Sequence, residues 1–265
     1  MTLALSFALP TQAGAICNAS SFTGNSLAAN DDGSTGLVNI GFNIDFFGIS
    51  QNNLYVNNNG NVTFDRALST FTPFGLLTSS IAIIAPFFAD VDTRAPGSSL
   101  VQDGQAVIGS RNVFGVNWIN LGVYNNLSIF NSFQLIMTNR SDVRVGDFDF
   151  EFNYDNVVWE TGQASGGNGA GLGGNSARVG YTNGGAVDFE LAGSGVNGAF
   201  LNAGSNSLVR DSLNSNVAGR YMFNVRNGVV APPPPPMAVP EPMSLALVGL
   251  ALVGVAVSSR KKRAV

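Results

Sequence analysis

Carboxylates carry most of the chemistry this chain could perform. Asp90 and Asp92 stand two residues apart after an apolar run, with Arg94 two further on. On a strand that spacing points both acids to one side, where calcium, a hard cation that favours carboxylate oxygens, could sit. The spacing fits no EF-hand, and the expected arrangement is simpler: both acids end the run, face solvent and pair with Arg94. Glu151 and Glu160 could form the acid pair of a matrix polysaccharide hydrolase, which needs two carboxyl groups held about 5 to 9 Å apart across a cleft. Glu151, however, falls on the polar parity of an alternating strand and is expected in water. With no histidine in the chain, Ser-His-Asp, Cys-His and His-based zinc chemistry are excluded. No cofactor is expected beyond the calcium alternative, and no enzymatic activity. The glycine run 166–174 lacks the Gly-Lys-Ser/Thr ending of a phosphate loop and reads as a surface loop. Trp118 and Trp159 could stack on sugar rings, although tryptophan is more often core.

The two ends of the chain carry export signals. Val239-Pro240-Glu241-Pro242 opens an apolar run, Met243 to Val257, that closes on Ser258, Ser259 and the cluster Arg260, Lys261, Lys262, Arg263. As a helix that run spans roughly 22 Å at 1.5 Å per residue, short of the ~30 Å hydrocarbon core, so transient membrane insertion suits it better than a permanent anchor. The terminal cations favour the cytoplasmic side and leave the bulk of the protein outside. The order of these parts resembles the PEP-CTERM sorting signal of Gram-negative bacteria, which implies cleavage at or near Pro-Glu-Pro by an exosortase-type processing enzyme. At the other end Leu3 to Leu9 is a short apolar stretch, Pro10 breaks it, and Ala13-Gly14-Ala15 is the small-x-small pattern of a signal-peptidase site, with cleavage expected after Ala15. No Lys or Arg precedes the apolar stretch, as a true start codon further upstream would explain. Cys17 follows Ile16, where lipid attachment wants Gly, Ala or Ser, and reads as an unpaired thiol.

Between the signals lies a β-protein. The 265 residues include 13 Lys+Arg against 17 Asp+Glu, a net charge of -4, 32 glycines and one cysteine. The acidic balance disfavours nucleic-acid binding, and a single cysteine allows no intramolecular disulfide, so stability must come from burial. Val38, Ile40, Phe42, Ile44 and Phe46 alternate with polar residues, as do Phe148, Phe150, Phe152 and Tyr154; period two marks half-buried strands with a core face and a wet face. Asn57-Asn58-Asn59-Gly60 and Thr182-Asn183-Gly184-Gly185 each read as a hairpin turn between such strands. Phe133, Leu135 and Met137 form another, and Tyr221, Phe223 and Val225 the closing one. The pattern predicts an all-β fold, an antiparallel two-layer sandwich, plus the C-terminal hydrophobic helix.

Several blocks together resemble the NIDO domain of nidogen-like extracellular proteins. They are Asn59 to Phe64, Ile84-Ala85-Pro86-Phe87-Phe88-Ala89-Asp90-Val91-Asp92-Thr93-Arg94, Asn131 to Leu135, Phe152-Asn153-Tyr154 leading to Trp159-Glu160-Thr161-Gly162, and Ala177 to Tyr181. The resemblance implies cell-matrix adhesion without a known catalytic role. The cysteine-rich modules that usually accompany such domains are not read here. The expected organisation is a signal peptide over 1–15, the β-domain over 30–228, a Pro-rich linker over 229–238 and the sorting tail over 239–265. The linker, with Pro232 to Pro236, favours an extended polyproline spacer. The expected partners are signal peptidase, the exosortase-type enzyme and extracellular matrix or polysaccharide, with a glycan-binding module or, further off, the hydrolase as alternatives. Changing Pro240, Glu241 and Pro242 to alanine should leave an uncut, membrane-retained form in the native host. Mass spectrometry of the mature protein checks this, and a native form still carrying Arg260 to Arg263 would refute it.

Overall fold

The computed structural model describes residues 14–125 and 127–231. Residues 1–13, the prolines 232–236 and the whole sorting tail with its expected helix lie outside the described residues. Among the described residues no helix is long and apolar enough to cross a membrane. The described residues form thirteen strands. The first seven are β1 (Asn25–Ser26), β2 (Val38–Phe46), β3 (Ile49–Asn57), β4 (Asn61–Thr63), β5 (Ala82–Phe88), β6 (Gln102–Ile108) and β7 (Arg111–Val123). The rest are β8 (Leu127–Asn139), β9 (Phe148–Asn156), β10 (Arg178–Asn183), β11 (Asp188–Glu190), β12 (Arg220–Arg226) and β13 (Val229–Val230).

These strands form two sheets, ordered β1-β6-β7-β8-β9-β12-β13 and β11-β10-β5-β4-β3-β2, and every pairing between named strands is antiparallel. Both sheets contribute to one main core, as a sandwich requires. The alternation works as the sequence implies. Ile40, Ile44 and Phe46 of β2 and Phe148, Phe150, Phe152 and Tyr154 of β9 are all buried. Trp118 on β7 pairs with Phe133 on β8, their rings stacked 5.4 Å apart; Phe133 meets Phe87 of the opposite sheet, which takes Trp159 edge-on. Both tryptophans are therefore core residues, fully buried, and the sugar-stacking alternative is overturned. Strand β5 has no wet face: all seven residues are buried, with Ile83, Ala85 and Phe88 packed beneath Leu68 and Leu76 in a second, smaller cluster.

The outer face of β9 differs from the expectation of water. Glu151 and Asn153 are buried because the segment before β1 lies across this sheet. Phe22 supplies the adhesion: it is fully buried beside Val113 and Ile136, and a Cβ on Gly115 would sit 2.3 Å from its ring, so only glycine seats it. Beneath the segment runs a ladder of amides. Asn153 Nδ2 donates to Gln134 Oε1 at 3.2 Å, Gln134 Nε2 donates to Asn117 Oδ1 at 2.8 Å, and Asn117 Nδ2 donates to the Ala19 carbonyl at 2.9 Å. Asp149 is not free in water either; Arg140 Nη1 donates to its Oδ2 at 2.6 Å and Arg226 Nη2 lies 2.7 Å from its Oδ1.

The domain also extends beyond the boundaries read from sequence. Its N-terminal part begins well before residue 30, and Val229 and Val230, assigned to the linker, pair with Arg226 and Val225. Truncating Phe150, which stacks on Phe223 at 4.7 Å and meets Tyr181 edge-on, should cost about 3 to 5 kcal/mol, a large share of a typical 5 to 15 kcal/mol stability. The exposed Asp188→Ala should stay within about 0.5 kcal/mol. Urea midpoints measure both, and equal midpoints would contradict the burial of Phe150.

Candidate functional site

The turn joining β3 to β4 organises the one concentrated cluster of acids among the described residues. Asn57, Asn58 and Asn59 are buried, and a buried amide must find partners within the protein. Asn58 Nδ2 donates to the Asp31 and Val91 carbonyls, and the Asn58 backbone N–H donates to the Gly33 carbonyl at 2.9 Å. Asn59 Oδ1 accepts the Val91 N–H at 2.9 Å, while its Nδ2 donates to Asp32 Oδ1 at 2.9 Å. Thr93 completes the clamp: its hydroxyl donates to the Asn30 carbonyl at 2.8 Å, and its backbone N–H donates there at 3.0 Å. One turn thus holds the loop before β2 against the segment after β5.

That juxtaposition separates Asp90 from Asp92. β5 ends at Phe88, so the two acids do not share a strand face. Asp92 does pair with Arg94, as expected: Arg94 Nε and Nη2 donate to Oδ1 and Oδ2 at 2.9 and 2.8 Å. It does not face solvent, being only 3% exposed. Asp90 makes no bond to Arg94 and is 1% exposed, and its Oδ2 is buried without a partner. Its carboxylate lies against Gly162, where a Cβ would come within 2.2 Å of Oδ2. The calcium alternative built on Asp90 with Asp92 does not assemble. Instead Asp31, Asp32 and Asp90 each present a carboxylate oxygen, all within 4.8 Å of one another. Arg94 Nη2 reaches the edge of the group, 2.8 Å from Asp31 Oδ2.

Crowded acids out of water resist ionisation. Burial, then the charges of Asp31, Asp32 and Asp92, push Asp90 up to about 7. Burial with Asp32 and Asp92 pushes Asp31 up to about 6 against the opposing pull of Arg94. Asp31 and Asp32 escaped the sequence reading because they stand nearly sixty residues before Asp90. The signal that could have found them is Asn30-Asp31-Asp32-Gly33, a turn carrying two adjacent acids.

The hydrolase pair does not assemble either. Arg220 Nε donates to Glu151 Oε2 at 2.8 Å, on the outer face of the first sheet and under the N-terminal segment. Glu160 is fully buried, its two oxygens accepting the Gly198 and Phe200 N–H groups at 2.6 Å each. Burial raises its pKa and those two N–H groups oppose the rise. Cys17 is an unpaired thiol, and burial followed by the nearby Glu151 charge pushes its pKa up, which lowers its reactivity. Of the signal-cleavage residues, Ala13 lies outside the described residues and Ala15 is buried, while the Ile16 N–H donates to Asp155 Oδ1 at 3.1 Å. The sorting residues Pro240, Glu241, Pro242 and Arg260 to Arg263 lie outside the described residues as well.

A separate surface feature is an open groove of about 590 Å³ where β1 and β6 approach the start of β2. Its lining is mostly neutral and polar, including Asn25, Ser34, Thr35, Asn39 and Gln105, with the exposed Leu37 beside them.

Comparison with known proteins gives two matches along the chain. Residues 52–227 match the nidogen-like domain, and residues 238–262 match the PEP-CTERM protein-sorting motif. The chain is similar to alpha-tectorin of Mus musculus and Homo sapiens, 29% and 30% identical over 226 residues, and of Gallus gallus, 28% over 225. Each alignment covers 76% of this chain but only 10% of the relative, so the chain spans about a tenth of the length of these proteins. No solved structure matches significantly.

The acids make a pH prediction for the metal-free protein. The unfolded chain releases the Asp90 proton near 3.8, whereas the fold keeps it to about 7. Between those values the folded state binds more protons, so this stability is fully present below about 3.8 and lost as pH rises through about 7. Urea midpoints in chelating buffer should therefore fall from pH 5 to pH 8 more steeply for the parent chain than for Asp90→Asn, with Asp31, Asp32, Asp92 and Arg94 left in place. Parallel pH profiles would contradict the burial of the charge.

Proposed function

Because the chain belongs to the nidogen-like domain family, we propose that it is an adhesion or matrix-organising protein of the bacterial surface, with extracellular polysaccharide as its partner. The observation that carries this reading is the pairing, in one chain, of that domain with a PEP-CTERM sorting motif, which marks an exported protein. The sorting tail would insert transiently, with Pro240, Glu241 and Pro242 at the cut and Arg260 to Arg263 as the cytoplasmic stop. Residues 232–238 would hold the β-domain away from the membrane during processing. At the other end, signal-peptidase cleavage after Ala15 would make Ile16 the new N-terminus. Its ammonium group would then lie at the Asp155 carboxylate, which supports that position for the cut.

A binding role without catalysis also suits the chemistry of the surface. The acids that could have served a hydrolase are committed to Arg220 and to backbone N–H groups. The groove beside β1 and β2 offers hydroxyls and amides, groups that match the neutral hydroxyls of a polysaccharide without a charge requirement. With the tryptophans buried, sugar recognition would rest on those polar side chains rather than on ring stacking.

The test is retention of the purified full chain, in mild detergent, on polysaccharide isolated from its host and on whole cells. The parent should be retained on both. Leu37→Arg, which puts a long cation into the groove from an exposed position, should weaken retention at least tenfold while leaving the melting temperature unchanged. No retention on either material would overturn the reading, and release of new reducing ends from the polysaccharide would favour the hydrolase.

A further inference from the structure

We propose that Asp31, Asp32 and Asp90 form a calcium site that fastens the loop before β2 to the segment after β5. The three carboxylates come from two chain segments that the Asn58 and Asn59 amides hold together, and each presents an oxygen within 4.8 Å of the other two. Calcium binds oxygens at 2.3 to 2.6 Å, so ligands on opposite sides of one ion stand up to about 5 Å apart. Three oxygens so grouped stand close to the spacing one ion needs, and a small inward turn of the carboxylates would complete it.

A second observation points to a ligand. Asp90 is 1% exposed and its Oδ2 is buried with no hydrogen-bond partner, a costly arrangement unless something else meets the charge. Asp31 Oδ1 is also buried and unpartnered, although Oδ2 of the same residue has Arg94. The Thr161 hydroxyl, one residue before the Gly162 that Asp90 touches, is a third buried oxygen without a partner. By contrast the Asp92 carboxylate is engaged by the Arg94 side chain and backbone. One arginine thus serves Asp92 and one oxygen of Asp31, which leaves Asp32, Asp90 and the other Asp31 oxygen without a cation.

Calcium fits better than magnesium. The donors are hard oxygens on loops rather than on rigid strands, which suits a cation of variable coordination number; magnesium demands a near-ideal octahedron and keeps most of its waters. An exported domain also meets calcium at concentrations where a modest site fills. The bound ion would do what a disulfide does elsewhere, joining two loops in a domain with a single cysteine.

Calorimetric titration of the chelator-stripped full chain with calcium chloride, in mild detergent, tests the site alongside thermal melting. The parent should bind one calcium with half-saturation at about 0.1 to 1 mM, the range of extracellular modules. Its melting temperature should rise by several degrees in 10 mM calcium, and by less than half as much in 10 mM magnesium. Asp32→Asn and Asp90→Asn should each weaken binding at least tenfold, whereas the exposed Asp188→Asn should not change it. In chelator, Asp90→Asn should melt no lower than the parent, because it removes a charge that repels its neighbours. The absence of both saturable heat and a melting shift in the parent would overturn the proposal, whatever the variants do. Unchanged calcium binding in Asp32→Asn would overturn it too, and that variant decides the matter if Asp90→Asn does not fold.

Discussion

The fold turns on the burial of three consecutive asparagines. A turn inside a protein carries backbone and side-chain polar groups that water can no longer satisfy, and each left unpaired costs on the order of 1 to 3 kcal/mol. In this domain the turn Asn57-Asn58-Asn59 meets that demand by gathering other loops around itself. Asn57 Oδ1 accepts the Leu68 N–H at 3.0 Å, and Asn57 Nδ2 donates to Asn61 and Thr63. Trp118 adds a bond from the opposite sheet, its indole N–H donating to the Asn57 carbonyl at 3.3 Å. Asn58 and Asn59 take the loops on the other side. The position of the acids is a consequence of this satisfaction requirement.

Gly60, at the end of the same turn, shows how little freedom remains. Its φ is +72°, and a Cβ there would fall 1.8 Å from the Phe87 carbonyl oxygen. Only glycine allows the turn to lie against β5, which brings Phe87 into the aromatic chain linking Trp118 and Trp159. The aromatic core, the buried turn and the acidic loops are thus a single structural unit. A domain without disulfides gains its rigidity from such dense interlocking of apolar packing with hydrogen-bonded amides.

The outer face of the first sheet follows a different physical rule. Seen along β9 alone, Glu151 and Asn153 alternate with phenylalanine and belong in water. A remote segment covers them, and the polar side chains then pair among themselves and with Arg220. Alternation reports which residues avoid the main core; it carries no information about what later covers the other side. The same limit explains β5, where burial on both faces leaves no alternation to detect.

Local order was thus legible in the chain itself. Period-two patterning placed β2, β9 and β12, the Asn-Gly turns placed their hairpins, and the missing histidine and cysteine pairs removed whole classes of chemistry, because each of these depends only on neighbouring residues or on composition. The Asp92 to Arg94 pair was legible for the same reason. Tertiary structure decided the rest: that Glu151 is covered, that Trp118 and Trp159 are core, and that Asp90 leaves Asp92 for Asp31 and Asp32. Those outcomes depend on which distant segments meet, and that is set by the closure of two sheets around one core rather than by any spacing along the sequence.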